Sequence, residues 1–186
     1  VYFGNGTSLT DAEVVRSVYD LKDSNCSELQ YLEDVKYADF GHDEYLNDSS
    51  FLSGMKSLEV LIISGSPIKD LSPLSECKNL RILEIANCGY ITDLSPLEGC
   101  ESLEMLNISH TKATEGLSAL EERNITHLTA VGGIWNKISQ EDRDAFQEDH
   151  PDCWIVTSGN EYGVGWRYED KETKMEWYEK ASEAFK

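Results

Sequence analysis

LEVLIISGSPIKDLSPLSECKN occupies Leu58–Asn79. It is followed by LRILEIANCGYITDLSPLEGCES at Leu80–Ser102, LEMLNISHTKATEGLSALEERN at Leu103–Asn124, and a shortened ITHLTAV from Ile125. The starting points lie 22, 23 and 22 residues apart, and the apolar letters hold register throughout. Leu58, Leu80, Leu103 and Ile125 form one column. Leu61, Leu83, Leu106 and Leu128 form a second, and Ile63, Ile85, Ile108 and Ala130 a third. Met55, Cys77 and Cys100 stand just before the first. Self-similarity at this period marks a solenoid, in which each coil stacks on the next. Leu29, Leu32, Val35 and Tyr37 repeat the internal spacing of Met55, Leu58, Leu61 and Ile63 at an offset of 26 residues. They are read as one more, degenerate coil, which makes about five.

The second and third columns are two residues apart, the period of a β-strand, so both point inward and the residue between them points out. One such strand cannot bury its apolar side alone. Parallel stacking of several makes a continuous core. DLSPL, present at Asp70–Leu74 and Asp93–Leu97, then turns the chain for the next coil. Ser72 and Ser95 read as helix N-caps. Pro73 and Pro96 read as first helical residues, where a missing N–H is harmless. Leu71, Leu74, Leu94 and Leu97 point back into the core. GLSAL at Gly116–Leu120 replaces the motif in the third repeat.

The pattern LxxLxIxxxxIxDLSPLxx resembles the leucine-rich repeats of bacterial internalins over roughly 29–131. The resemblance implies an α/β fold: a right-handed leucine-rich-repeat solenoid with a parallel β-sheet on its concave face. It also implies a helical N-terminal cap and an α/β C-terminal cap. The family's ladder asparagine falls here on Ser66, Cys88 and Thr111, which bond backbone groups more weakly.

Solenoid ends expose apolar faces and need covers. LTDAEVVRSVYDLK reads as a helix with Thr10 as N-cap, Glu13 completing a capping box, and Leu9 and Val14 forming a hydrophobic staple. ISQEDRDAFQED reads as a second helix capped by Ser139, and HPDCWIVTSG as one more strand. The remaining segment carries Tyr162, Trp166, Tyr168, Trp177, Tyr178 and Phe185. These aromatics are read as a seal on the last repeat, with a ligand-facing patch as the alternative. The division expected is an N-terminal cap over 1–28, repeats over 29–131 and a C-terminal cap over 132–186.

The chain carries 35 acidic and 16 basic residues, a net charge of −19, which repels phosphate backbones and anionic headgroups. Nucleic acid and membrane surfaces are therefore set aside as partners. No apolar run approaches the roughly 20 residues needed to insert in a bilayer. The chain begins at Val1. We read this as a trimmed or processed form, with any signal peptide or lipid anchor lost. Of the five cysteines, Cys77 and Cys100 occupy core positions and are expected to be buried thiols. Cys88 lies in the ladder column. Cys26 and Cys153 could pair only if the two ends met.

No phosphate loop, HExxH, GxSxG or calcium loop occurs. His42, His110, His127 and His150 are not spaced to share a metal. No catalytic residue, metal or cofactor is assigned, and the chain is read as a non-enzyme. The candidate site is the outward face of the strands. Its first row is Asp34, Val60, Ile82, Met105 and His127. The second is Lys36, Ile62, Glu84, Asn107 and Thr129, and the third Ala38, Ser64, Ala86, Ser109 and Val131. Val60, Ile62, Ile82, Glu84, Met105, Asn107, His127 and Thr129 are the binding candidates. Val60, Ile62, Ile82 and Met105 make an apolar patch there, unless the tail folds back over them. The function expected is a protein–protein interaction module binding an unknown protein partner. The resemblance implies display on, or secretion from, a bacterial cell. The alternatives are an enzyme or carbohydrate-binding site in the aromatic C-terminal segment, and a structural spacer of a larger surface protein.

Overall fold

The structure is a computed structural model and describes Val14–Val15 and residues 26–159. Seven short strands form one parallel sheet in chain order: β1 (Val14–Val15), β2 (Tyr37–Asp39), β3 (Val60–Ile62), β4 (Ile82–Glu84), β5 (Met105–Asn107), β6 (His127–Thr129) and β7 (Trp154–Val156). Opposite the sheet, 3-10 turns stack at Ser27–Tyr31, Ser50–Gly54, Ser72–Glu76, Ser95–Gly99 and Leu117–Leu120. The short turn Trp135–Lys137 then leads to helix α1, Gln140–Asp149. This is a leucine-rich-repeat solenoid.

The three leucine and isoleucine columns are buried throughout, as are Met55, Cys77, Cys100, Leu71, Leu74, Leu94 and Leu97. They make one continuous core that runs the length of the stack. Leu83 is paired with Leu61 on one side and Leu106 on the other, so each coil is held chiefly by its two neighbours.

Three local expectations are corrected. First, Val14 and Val15 do not belong to a helix. They form strand β1, paired in parallel with Tyr37 and Ala38. Two β-branched residues beside a free sheet edge gain more from the ladder than from a helical turn. The rest of the expected capping helix, including Thr10, Glu13 and Leu9, lies outside the described residues.

Second, the upstream coil is offset by 23 residues, not 26, since Tyr37 pairs with Val60 and Ala38 with Leu61. Val35, Ala38 and Phe40, all fully buried, therefore stand in the columns of Leu58, Leu61 and Ile63. The alternative alignment fails because it would aim Tyr37 into the core. The small Ala38 fills its inward place, with Phe40 packed edge-on against Phe51 at 5.7 Å between ring centres.

Third, the aspartate of DLSPL, not its serine, caps the turn. Asp70 Oδ1 and Asp93 Oδ1 accept from the backbone N–H of Ser72 and Ser95, each at 2.8 Å. The serine is itself the first helical residue and the proline the second. Asp48 does the same for Ser50 at 2.8 Å, so DSSFL at Asp48–Leu52 is a third copy of the motif. In the fourth copy the aspartate is replaced by Gly116, in the left-handed region at φ 79°. A Cβ there would lie 2.3 Å from Ser95 N and 2.5 Å from Asp93 Oδ1, so any side chain would strike the preceding cap.

Hydrogen bonds from the Ser95 hydroxyl and N–H hold the Asp93 carboxyl below its ordinary pKa. Asp93→Ala should therefore lower stability by about 1 kcal/mol at neutral pH, a lost cap. Ser95→Ala should matter less, because its N–H still finds the carboxylate. A group with a depressed folded-state pKa stabilises above its unfolded value, and that contribution fades as pH falls through the folded one. Urea titrations of the two proteins should thus converge at acid pH.

The C-terminal readings hold for the described part. Ser139 Oγ caps α1 by accepting from Asp142 N at 3.0 Å, and the following segment is strand β7. α1 takes the place of the next 3-10 turn. Its Phe146 lies 6.3 Å from Trp135 and stacks on His150 at 4.3 Å, which closes that end of the core.

All five cysteines are free thiols. Cys77 Sγ donates to Leu52 O at 3.4 Å and Cys100 Sγ to Leu74 O at 3.3 Å, each reaching back one coil. Burial pushes both up to about 12 and Cys153 up to about 11. The thiolate is the reactive form. A disulfide reagent at pH 8 should therefore label none of these three rapidly in the native protein and all of them in urea; fast native labelling of Cys77 or Cys100 would contradict the core register.

Candidate binding face

The strand pairings bring the eight candidate residues onto one side of the sheet, turned away from the core. Val60, Ile82, Met105 and His127 are successive partners in one row. Ile62, Glu84, Asn107 and Thr129 form the next. The corrected offset changes the ends of both rows. Tyr37 and Asp39 replace Asp34 and Lys36, while Trp154 and Val156 extend the rows onto β7. By the same register Gly41, not Ala38, begins the third row beside Ser64, Ala86, Ser109 and Val131. Tyr37 and Trp154 were missed because one signal was read three residues out of step and the other lay past the last full repeat.

The strands position the backbone of this face, and several of its side chains are tied to neighbouring side chains and backbone. Ser64 Oγ donates to Glu84 Oε1 at 3.1 Å. Asn107 Oδ1 accepts from Ser109 N at 3.0 Å, and Ser109 Oγ accepts from Val131 N at 3.1 Å. The row of small residues is thus a chain of local hydrogen bonds and not an open trough. Thr126 Oγ1 lies 3.0 Å from His127 Nδ1. Partial burial holds His127 below the ordinary histidine pKa, which favours the neutral ring. The His127 and Trp154 rings meet edge to face at 5.4 Å.

The apolar patch exists but is not open. Tyr37, Val60, Ile62, Ile82 and Met105 form a second hydrophobic cluster, separate from the main core, and none is more than 5% exposed. Glu84, Asn107 and Thr129 are buried as well. Asp39 at the β2 end is half-buried, and exposure is greatest at the β7 end, where His127 is half-buried and Trp154 is 47% exposed.

Behind each strand, the ladder column is filled by a mixed set of polar side chains. Asp43 Oδ1 accepts from Tyr45 N at 2.9 Å. Cys88 Sγ donates to Ile63 O at 3.1 Å, and Thr111 Oγ1 to Ile108 O at 2.7 Å. The column works without asparagine because each side chain needs only to satisfy a carbonyl or N–H of the turning backbone. Among the described residues no group of three or more His, Cys, Asp or Glu is placed to hold a metal ion. No helix among them is long and apolar enough to cross a membrane. The aromatic residues Tyr162, Trp166, Tyr168, Trp177, Tyr178 and Phe185 lie outside the described residues.

Parallel register, core columns and capped 3-10 turns together define a leucine-rich-repeat fold. A family profile described as leucine-rich repeats (2 copies) matches residues 56–99. Among solved structures, the chain is similar to a leucine-rich-repeat protein of Leptospira interrogans, with a TM-score of 0.58 and 22% identity over 69% of this chain and 33% of that one. It is also similar to an internalin from Listeria monocytogenes, with a TM-score of 0.44 and 19% identity over 73% of this chain and 44% of the other. The chain therefore spans a third to under a half of the length of these two proteins. The first overlay places the fold with leucine-rich-repeat solenoids. No curated protein matches the chain.

Proposed function

We propose that this chain is a non-enzymatic protein-interaction module, displayed on or secreted from a bacterial cell, that engages its partner along the sheet face. Leucine-rich-repeat solenoids are interaction scaffolds, and their extended sheet surfaces are what they bind with. The observation that carries the assignment is Trp154. A tryptophan left half-exposed at the end of a buried apolar row, braced edge-on by His127, has the form of an interface anchor. Val60, Ile62, Ile82, Glu84, Met105, Asn107 and Thr129 stand in the same two rows inward from that anchor and are buried, so Trp154 and His127 make the first contact. The net charge of −19 favours a basic partner and fast, salt-sensitive association. The bacterial, extracellular setting is carried by the resemblance of the repeat pattern.

The test uses the full chain as bait against surface extract of its native host, beside Trp154→Ala. Trp154 is exposed, so its truncation leaves the fold intact. The variant should lose a specific captured protein by tenfold or more, the usual effect of removing an anchor. Equal recovery by both baits would remove Trp154 and the β7 end from the site.

A further inference from the structure

The sheet ends at β7, and that edge keeps the means to add another strand. In parallel strands, successive residues turn their backbone groups to opposite sides. Trp154 N donates to Thr126 O at 2.8 Å, and Val156 O accepts from Ala130 N at 2.8 Å, so both residues face β6. Ile155 therefore directs its N–H and C=O outward, as Leu128 one coil earlier directs its own at β7. Among the described residues nothing bonds either group of Ile155.

Side-chain burial agrees. Ala38, Leu61, Leu83, Leu106 and Leu128 precede Ile155 in its column and are at most 2% exposed, whereas Ile155 is half-buried. Elsewhere in the stack a neighbouring coil closes that position. Three residues beyond each earlier strand stands a residue that starts the next coil: His42, Gly65, Asn87, His110 and Gly132, with φ between 58° and 78°. The corresponding Gly159 has φ 142°, so that turn is not made there. Edge strands are commonly blunted by a charge or a proline. CWIVTS at Cys153–Ser158 has neither, and its tryptophan, isoleucine and valine favour extended pairing.

The charge at this end of the stack selects the occupant. Glu141, Asp144, Glu148, Asp149 and Asp152 are exposed on α1 and the turn after it, against Lys137 as the exposed cation. Arg143 is turned to Trp135, 5.9 Å from its ring centre. A second copy of the chain would bring the same carboxylates and another net charge of −19 to the contact, which repels. A basic segment is attracted. An outward N–H and C=O on a strand call for an extended main chain and not a helix.

We propose that the outer edge of β7 takes up an extended, basic segment of a partner protein as an added strand. One side chain of that segment then continues the row of Trp154, and the next covers Ile155. The proposal rests on the reading that this end binds a protein, and it adds the partner's conformation and charge.

The probe is a capped heptapeptide of alternating lysine and valine, added to the isotope-labelled full chain, with amide hydrogen exchange read by NMR. The Val156 amide, directed at β6, is the reference. In the protein alone, Ile155 should exchange faster than Val156. The peptide should slow Ile155 by about fivefold or more and leave Val156 unchanged. The same peptide with proline at its centre keeps the charge and loses an edge donor, so it should protect little; an alternating glutamate–valine peptide should not protect at all. Failure of the lysine–valine peptide to protect Ile155, or equal protection by either control, would overturn the proposal. So would an Ile155 amide already protected in the protein alone, which would mean that this chain or a second copy holds the edge. Capture of a host protein by the wild type and its loss in Trp154→Ala test the interaction reading without reference to the Ile155 amide, so the two fail separately.

Discussion

Replacing Leu83 by alanine should destabilise the protein by about 3 kcal/mol, within the roughly 2–5 kcal/mol range for a buried leucine. Leu83 is fully buried in the middle strand of the sheet, between Leu61 and Leu106. The cavity would open between two coils, where neighbours on both sides are fixed by their own ladder hydrogen bonds and cannot close in. Ile63 accepts no slack either, since its N–H is bound to Glu84 O at 2.9 Å. Urea unfolding followed by circular dichroism gives the loss directly. A change well below 1 kcal/mol would mean that the second column does not face the core.

Gly99→Ala is the second change with a large expected effect, and its mechanism is the opposite one. Gly99 ends the Ser95–Gly99 turn, and a Cβ built on it would lie 2.2 Å from Ser75 O and 2.5 Å from Ser75 Cα. Those are backbone atoms of the preceding coil, so no rotamer change relieves the clash. The two turns must part, at a loss of about 1–3 kcal/mol typical of overpacking, or more. Gly54 stands in the same relation to Gln30, its Cβ position 2.2 Å from Gln30 O, and Gly54→Ala should behave alike. Thermal unfolding should show both midpoints lowered. An unchanged midpoint in either would mean that these coils are not in backbone contact.

The repeats were legible because three full copies agree. A period of 22 or 23 residues, two inward columns spaced as a strand and a proline-marked turn leave one arrangement, and the structure has it. Legibility failed where the copies decay. DSSFL lacks the leucine and proline of DLSPL, so its capping aspartate, Asp48, passed unseen and the first coil was set three residues off. Val14 and Val15 carry helical spacing and strand-forming branches at once, and only the edge of β2 decides between them. The candidate site was half legible. Alternation put Val60, Ile82 and Met105 in one row correctly, but alternation describes only which side a residue takes. Whether that side meets water is a tertiary property, about which local periodicity is silent.

The glycines at the back of the stack let its coils seat directly on one another. At Gly54 and Gly99 the backs of adjacent coils are in backbone contact, with no room for a side chain between them. A substitution there acts on two coils at once, and each coil passes the strain along the stack, because in a solenoid its contacts are with its neighbours.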